Sequence, residues 1–331
     1  MVIKFKALIL SKDKNNNQRC AIKKIAFDDL MPGDVTIKIT FSSLNYKDGL
    51  AISGKKPIIK KWPMIPGVDF CGEVVQSNSL NFKIHDKVIL NGWGVGETHF
   101  GGFSEYARVK SEWLLKLPEK FTEEQAMIIG SAGYTSMLCV IAIMKDVPTS
   151  MGEILVTGAS GGVGSIAVHL LSKLGYDVVA STGKIEENEF LKNIGANRII
   201  DRNQIGAKAL KPLSSQIWGG AIDTVGGITL SNILSQTKYG GLVAATGLAQ
   251  SAILNTTVYP FILRNITLKG IDSVYTPIKT RIKVWKKLSE LIDYDFLDNI
   301  KVIKNFSDLK NISSKIINGK IKGRVVIKIG K

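Results

Sequence analysis

The sequence predicts an α/β protein of two domains, a mainly-β domain at the N-terminus and a doubly wound parallel sheet behind it. Three observations carry this. Val156-Thr-Gly-Ala-Ser-Gly-Gly-Val-Gly164 is a glycine cluster between a strand-like and a helix-like pattern. Beyond it, short apolar runs alternate with segments of helical spacing. Residues 1–128 instead hold short β-like runs separated by Pro and Gly turns such as Met31-Pro-Gly-Asp34.

Met1–Leu10 alternates as a strand does, and Val35–Thr40, Gly72–Val75, Lys87–Leu90 and Phe103–Val109 read as further strands. Gly133–Ile143 reads as the helix that connects the domains. Gly152–Val156 reads as a short buried strand. After the glycines, Ile166, Val168, Leu170, Leu171 and Leu174 recur at helical spacing, and Gly175 ends the helix. Asp177–Ser181 reads as a second strand, followed by a helix through Phe190, Leu191 and Ile194 to Gly195. Arg198–Ile200, Ala221–Val225, Gly241–Ala245 and Ile266–Leu268 complete the set. Strands alternating with helical segments imply a parallel sheet with right-handed crossovers, a Rossmann domain. The last run, Gly323–Ile329, alternates but has no place in that sheet, so it is expected to return to the β domain. The expected domains are 1–128 with 298–331, and 129–297.

A strand feeding a glycine turn into a helix N-terminus holds a dinucleotide pyrophosphate. Glycine lets the backbone approach the phosphates, and the free N–H groups and helix dipole favour the anion. The window nearest the G-x-G-x-x-G fingerprint begins with Ala159, so the match is imperfect. An NAD-binding domain carries an acidic residue about 20 residues further on, gripping the ribose 2′-hydroxyl. Here that place reads Ser181-Thr-Gly-Lys184, with no carboxylate until Glu186. Thr182 and Gly183 leave room for a 2′-phosphate, and Lys184 and Arg202 supply charge. The expected cofactor is NADPH.

The chain has 331 residues, 45% hydrophobic and 8% aromatic, as an ordinary globular protein does. No apolar run of about 18 residues stands out, and the N-terminus lacks a secretory cleavage pattern. A cytoplasmic enzyme with no membrane partner is expected. Cys20, Cys71 and Cys139 are odd in number and far apart, which suits a reducing compartment and incidental thiols. The net charge of +16 attracts anions of any kind. No nucleic-acid-binding motif accompanies it, so no nucleic acid is expected as a partner. Lys55, Lys56, Lys60 and Lys61 form the densest basic cluster.

The order of parts, a β domain, a Rossmann domain and a C-terminal return strand, resembles the medium-chain dehydrogenase/reductase superfamily. Ser42–Leu50, Pro63–Asp69, Gly92–Glu97, Ala126–Gly130, Pro260–Asn265 and Asp272–Val274 are similar to its acrylyl-CoA reductase/YhdH-type quinone oxidoreductase group. The resemblance covers essentially the whole chain. It implies a GroES-like catalytic domain, a homodimer and NADPH-dependent reduction of acrylyl-CoA to propanoyl-CoA. It also places Ser160, Gly161, Gly162 and Val163 on the pyrophosphate, and Thr182 to Lys184 and Arg202 on the adenosine phosphate. Leu248, Ile262 and Ser273 would line the nicotinamide half, with Tyr46 against the cofactor. The group's usual arginine in the adenosine loop is Lys184 here, which keeps the charge but loses the planar fork.

Zinc-dependent members carry His-Glu after the glycine that is Gly67 here; this chain has Val68-Asp69, and valine is no ligand. The four-cysteine structural lobe is also missing. His85, His99 and His169 are the only histidines, and each reads as a packing or surface residue. No metal is expected. Without one, the reducible bond must already be activated, as the C=C of an α,β-unsaturated thioester is. Hydride then adds at the β-carbon, and donors aimed at the thioester oxygen stabilise the developing enolate. Asn45-Tyr46-Lys47-Asp48, a turn after the strand Val35–Phe41, is the candidate catalytic segment. A tyrosine hydroxyl keeps its proton at neutral pH, so Tyr46 is a candidate donor. Asn45 is a candidate to orient substrate or ribose, and Asp48 either serves catalysis or holds the turn through backbone N–H groups. The small-molecule substrate is thus an acyl-CoA, with a quinone as the alternative. An NADPH-binding regulatory or RNA-binding protein is the alternative outside enzymes.

Overall fold

The computed structural model describes residues 4–330. The chain separates into two compact bodies. The first takes the chain through Ser131, Ser273–Ser289 and the chain from Leu297 on; the second takes Ala132–Asp272 and Glu290–Phe296.

In the first body, β1 (Lys4–Lys12) and β2 (Gln18–Ala26) pair antiparallel. The first three residues of the expected N-terminal strand lie outside the described residues. β3 (Val35–Leu44) runs four residues past its expected end and leads straight into α1 (Tyr46–Ser53). The segment expected as a turn is therefore the start of a helix. β4 (Asp69–Ser77), β5 (Lys87–Asn91), β6 (Tyr106–Val109) and β7 (Leu115–Lys116) complete the antiparallel ladder, with β6 on the far end of β3. Alternate side chains share one face. Val35, Ile37 and Ile39 of β3 therefore meet Phe70, Val74, Val88 and Leu90 in one core.

α2 (Glu123–Asp146) contains the expected connecting helix and is broken at Gly130, whose φ is 48° and ψ −156°. By length and composition α2 could cross a membrane, contrary to the expectation that no such run exists. However, 78% of its most apolar stretch is buried within the protein, as in the core helix of a soluble fold.

The second body is built on β8 (Ile154–Thr157), α3 (Gly162–Lys173), β9 (Val178–Thr182), α4 (Asn188–Asn193), β10 (Arg198–Asp201) and α5 (Asn203–Gly206). It continues with β11 (Trp218–Asp223), α6 (Gly227–Gln236), β12 (Thr237–Ala245), α7 (Tyr259–Arg264) and β13 (Thr267–Gly270). All its strand pairs are parallel, in the order β10-β9-β8-β11-β12-β13. The chain reverses direction across the sheet between β8 and β11, which is where open α/β sheets bind ligands. Leu155, Val179, Ile200, Ala221 and Val243 form one of its cores.

The chain then runs through α8 (Ile278–Leu291), α9 (Tyr294–Ile300), β14 (Lys301–Asn305), α10 (Leu309–Ile317) and β15 (Arg324–Lys328). β15 pairs antiparallel with β3, so the return strand joins the β domain as its alternation indicated, and β14 adds a strand beyond it. α10 lies tight on α1: a Cβ on Gly49 would come within 2.7 Å of Ile316 Cγ2. The bodies divide the chain differently from the expected domains, chiefly between residues 273 and 297. Ser273–Ser289 belongs with the first body, because buried Arg281 ties it there. Its guanidinium donates to the carbonyls of Asn91, Ser273, Val274 and Thr276, and it lies 4.6 Å over the Trp93 ring.

Candidate active site

In the first body the end of β3 and the start of α1 are held by a buried polar knot. Asn45 caps α1 from extended backbone, and Asp48, three residues on, accepts its N–H through Oδ2 at 2.9 Å. Asp48 Oδ1 accepts the Val68 N–H at 3.0 Å, which pins the loop before β4 to the helix. Asp69 Oδ1 accepts from the Ser43 N–H and hydroxyl, and its Oδ2 from the Ser131 N–H and Asn45 Nδ2. Arg324, from β15, donates to Ile128 O, Asn45 Oδ1 and Ser43 Oγ. One buried guanidinium thus faces two buried carboxylates. Burial and the neighbouring Asp69 charge push Asp48 up to about 7, against the N–H donors that hold it down.

The candidate catalytic residues separate by role in this setting. Asp48 is buried and engaged on both oxygens. Asn45 spends its Nδ2 hydrogens on Asp48 and Asp69, and its Oδ1 accepts from Arg324. Tyr46 is 40% exposed, and its hydroxyl has no hydrogen bond among the described residues. It opens α1 as the one solvent-facing phenol of the segment. Lys47 and, at 3.7 Å, Lys60 flank the Glu97 carboxylate; Lys55, Lys56 and Lys61 are exposed nearby in sequence.

In the second body the glycine cluster forms the turn its composition called for. Gly158 sits at φ 57°, Gly161 caps α3, and Ser160, Gly161, Gly162 and Val163 surround that helix's N-terminus. A Cβ on Gly164 would fall 2.3 Å from Gly158 O, so only glycine lets α3 rest on the turn. Thr157 and Asp223 bond across the ends of β8 and β11, and Asp223 also accepts the Gly226 N–H, fixing the switch point. Past β12, Gly247 is pressed on Thr224, which leaves Leu248 57% exposed beside it. Ile262 on α7 is 69% exposed. Ser273 lies in the first body, its carbonyl taken by Arg281.

At the end of β9, the Lys184 N–H donates to Thr182 Oγ1 and the Arg202 N–H to Thr182 O. The exposed Arg202 guanidinium lies over Gly183, where a Cβ would meet Nε at 2.5 Å. Thr182, Gly183, Lys184 and Arg202 thus form one cluster. The sequence passed over one member of it: Glu187, not Glu186, turns inward and pairs with Lys184 at 2.9 Å. Its signal was the i,i+3 spacing from Lys184.

The histidines and cysteines are taken up by packing and local hydrogen bonds. His85 bonds Glu73 at the surface, and His99 Nε2 meets Arg108 O and packs edge-on to Trp113. His169 stacks on Phe296 at 3.9 Å, and burial pushes it down to about 4. All three cysteines are unpaired, and burial pushes Cys139 up to about 12, leaving an inert thiol.

Residues 31–119 match the family described as Alcohol dehydrogenase GroES-like domain, and residues 162–293 that described as Zinc-binding dehydrogenase. The chain is 46% identical to Escherichia coli "Probable acrylyl-CoA reductase AcuI", over 97% of this chain and 99% of that protein. It is 42% identical to the acrylyl-CoA reductase AcuI of Ruegeria pomeroyi, over 98% and 99%. The chain belongs to the medium-chain dehydrogenase/reductase superfamily. Within the superfamily it falls in the AcuI/YhdH-type group. Among solved members, the Salmonella enterica yhdH oxidoreductase in complex with NADP superposes with a TM-score of 0.95 at 46% identity, covering 98% of this chain and 100% of its own. Bacillus subtilis yhfP, with NAD bound, gives 0.93 at 41%, covering 98% and 99%.

The zinc of the superfamily's zinc-binding members does not fit this chain. Among the described residues no three His, Cys, Asp or Glu side chains are grouped to hold a metal. Asp69, the carboxylate beside Val68, is consumed by Ser43, Asn45 and Ser131. A dinucleotide does fit the second body: a glycine turn that admits no Cβ, an open helix N-terminus and two cations beside Gly183 are the donor set it needs.

Proposed function

We propose that this chain is an NADPH-dependent reductase of the C=C bond of an α,β-unsaturated acyl-CoA, acrylyl-CoA to propanoyl-CoA foremost, working without a metal. The observation that carries this is end-to-end likeness to two acrylyl-CoA reductases, together with the Thr182–Arg202 cluster suited to a 2′-phosphate.

Ser160 to Val163 would hold the pyrophosphate at the head of α3. Thr182, Gly183, Lys184 and Arg202 would hold the adenosine phosphate. Leu248 and Ile262 would line the nicotinamide half. NADPH, when bound, supplies the hydride from its nicotinamide ring. This chain's residues orient and protonate. Tyr46, with an unengaged hydroxyl, would donate toward the thioester oxygen or the α-carbon. Asn45, clamped by Arg324, Asp48 and Asp69, would orient the substrate or the nicotinamide ribose from a fixed position. Asp48 is a positioning residue in this scheme, holding α1 and the Val68 loop.

The unpaired thiols accord with a cytoplasmic location. A homodimer formed through the second body is supported by the open edge of β13 and exposed Ile253, Val258 and Leu263 before it. Sedimentation at micromolar protein would give the mass of two chains.

The deciding experiment follows NADPH oxidation with acrylyl-CoA, crotonyl-CoA and a benzoquinone side by side. The acyl-CoA reading requires the highest kcat/KM on acrylyl-CoA. A preference for the benzoquinone would make the chain a quinone oxidoreductase, and no turnover on any of the three would remove the enzyme reading.

A further inference from the structure

Glu187 ends a short turn after β9 and has no part in the reaction described above. The turn is closed by its own N–H, which donates to Lys184 O at 3.1 Å and brings its side chain back over the loop. Oε1 then meets Lys184 Nζ at 2.9 Å. The residue is only 7% exposed, and Oε2 is buried with no hydrogen-bond partner among the described residues. A buried carboxylate oxygen left without a donor is costly, and native folds keep few of them. Against Gly183 also stands Arg202, with no carboxylate on its guanidinium among the described residues. The two cations beside Gly183 are therefore unequal: one is offset by a buried carboxylate, the other is not.

We propose that Glu187 tempers coenzyme selectivity: by offsetting the Lys184 ammonium it weakens the hold on a 2′-phosphate, so that the site discriminates less between NADPH and NADH than two free cations would. This rests on the coenzyme reading above. A phosphate dianion placed between Lys184 and Arg202 meets full attraction from Arg202. From Lys184 it meets an ammonium whose field is partly cancelled by a carboxylate it cannot itself hydrogen-bond. A ribose hydroxyl in the same place is uncharged and loses little by that offset. The same side chain thus lowers affinity for one coenzyme and leaves the other nearly unchanged. The chain reached this arrangement although it lacks an acidic residue at the end of β9, where the usual NAD-selecting carboxylate stands.

The test is calorimetric titration of the full chain with NADPH and with NADH, no acyl substrate present. Glu187→Gln keeps shape and removes the charge. The ratio Kd(NADH)/Kd(NADPH) is expected to rise about tenfold, the scale of one partly buried charge interaction. Glu187→Asp, which keeps the charge, should stay within about threefold of the wild type. Equal weakening of both coenzymes by Glu187→Gln, with the ratio unchanged, would make Glu187 a structural residue and overturn the inference alone. Wild-type protein that binds neither coenzyme overturns the coenzyme reading and this inference together. Should Glu187→Gln fail to fold, Lys184→Gln reads the same pair from its exposed side. It must cost NADPH less than Arg202→Ala does, and an equal or larger cost overturns the inference.

Discussion

At the scale of single residues, Arg202 and Tyr46 are the candidate site residues that carry an exposed and unengaged polar group. Arg202 holds its place through its backbone, N–H to Thr182 O at 2.8 Å, while its guanidinium lies exposed over Gly183. Its removal therefore leaves β9 and β10 paired. Arg202→Ala is expected to weaken NADPH by about 1.5–3 kcal/mol, as for a hydrogen bond to a charged group, and to leave NADH nearly unchanged. Titration with both coenzymes measures this, and equal losses would contradict a phosphate site. Tyr46 has an unengaged hydroxyl on a helix start anchored by other residues. Tyr46→Phe is expected to lower kcat on the order of a hundredfold, as loss of a proton donor does, with little change in the NADPH Kd. The reverse pattern, a raised Kd at constant kcat, would make Tyr46 a contact for the coenzyme. Both residues were legible in the sequence. Glu187 was not, because whether a carboxylate in a loop turns in or out is decided by the turn's backbone, which residue types alone do not fix.

At the scale of elements, periodicity foretold most of the parallel sheet, since buried strands and amphipathic helices leave distinct patterns. It missed several elements, among them α1, α8, α10, β2 and β14. β2 is mostly exposed along its length, so no apolar alternation marks it. α1 is short and opens on Asn-Tyr-Lys-Asp, which reads as a turn until Asp48 is seen reaching back to the Asn45 N–H. The strength of that start is testable by pH. Asp48 rises from an ordinary 3.8 to about 7 in the folded chain, through burial first and Asp69 second. The folded state then binds a proton that the unfolded state has released, so stability must fall as pH rises from about 4 through 7. Thermal unfolding of wild type and Asp48→Asn across pH 5 to 8 should show the wild type losing ground, by at most about 1.4 kcal/mol per pH unit. A difference between the two that stays level over this range would mean that Asp48 is ionised throughout, with Arg324 and the N–H donors prevailing over burial.

At the scale of the whole molecule, the formal charge of +16 was visible from composition, but its use was not. The fold gives part of it a structural occupation. Arg281 and Arg324 are buried on backbone and side-chain acceptors, and Lys47 and Lys60 share Glu97. Most lysines remain solvated, and their summed field acts on whatever approaches. An acyl-CoA is a polyanion, so this field should raise its encounter rate and lower its KM at low salt. A benzoquinone carries no charge and should feel none of it. The Debye length shrinks from about 10 Å at 0.1 M to about 3 Å at 1 M salt. Between about 0.05 and 0.5 M potassium chloride, with NADPH saturating at every point, the KM for acrylyl-CoA is expected to climb several-fold. The KM for the benzoquinone should stay flat, which guards against a general effect of salt on the fold. Flat behaviour for both acceptors would mean that the charge reflects a lysine-rich composition and that the acyl-CoA is recognised by contacts other than its phosphates.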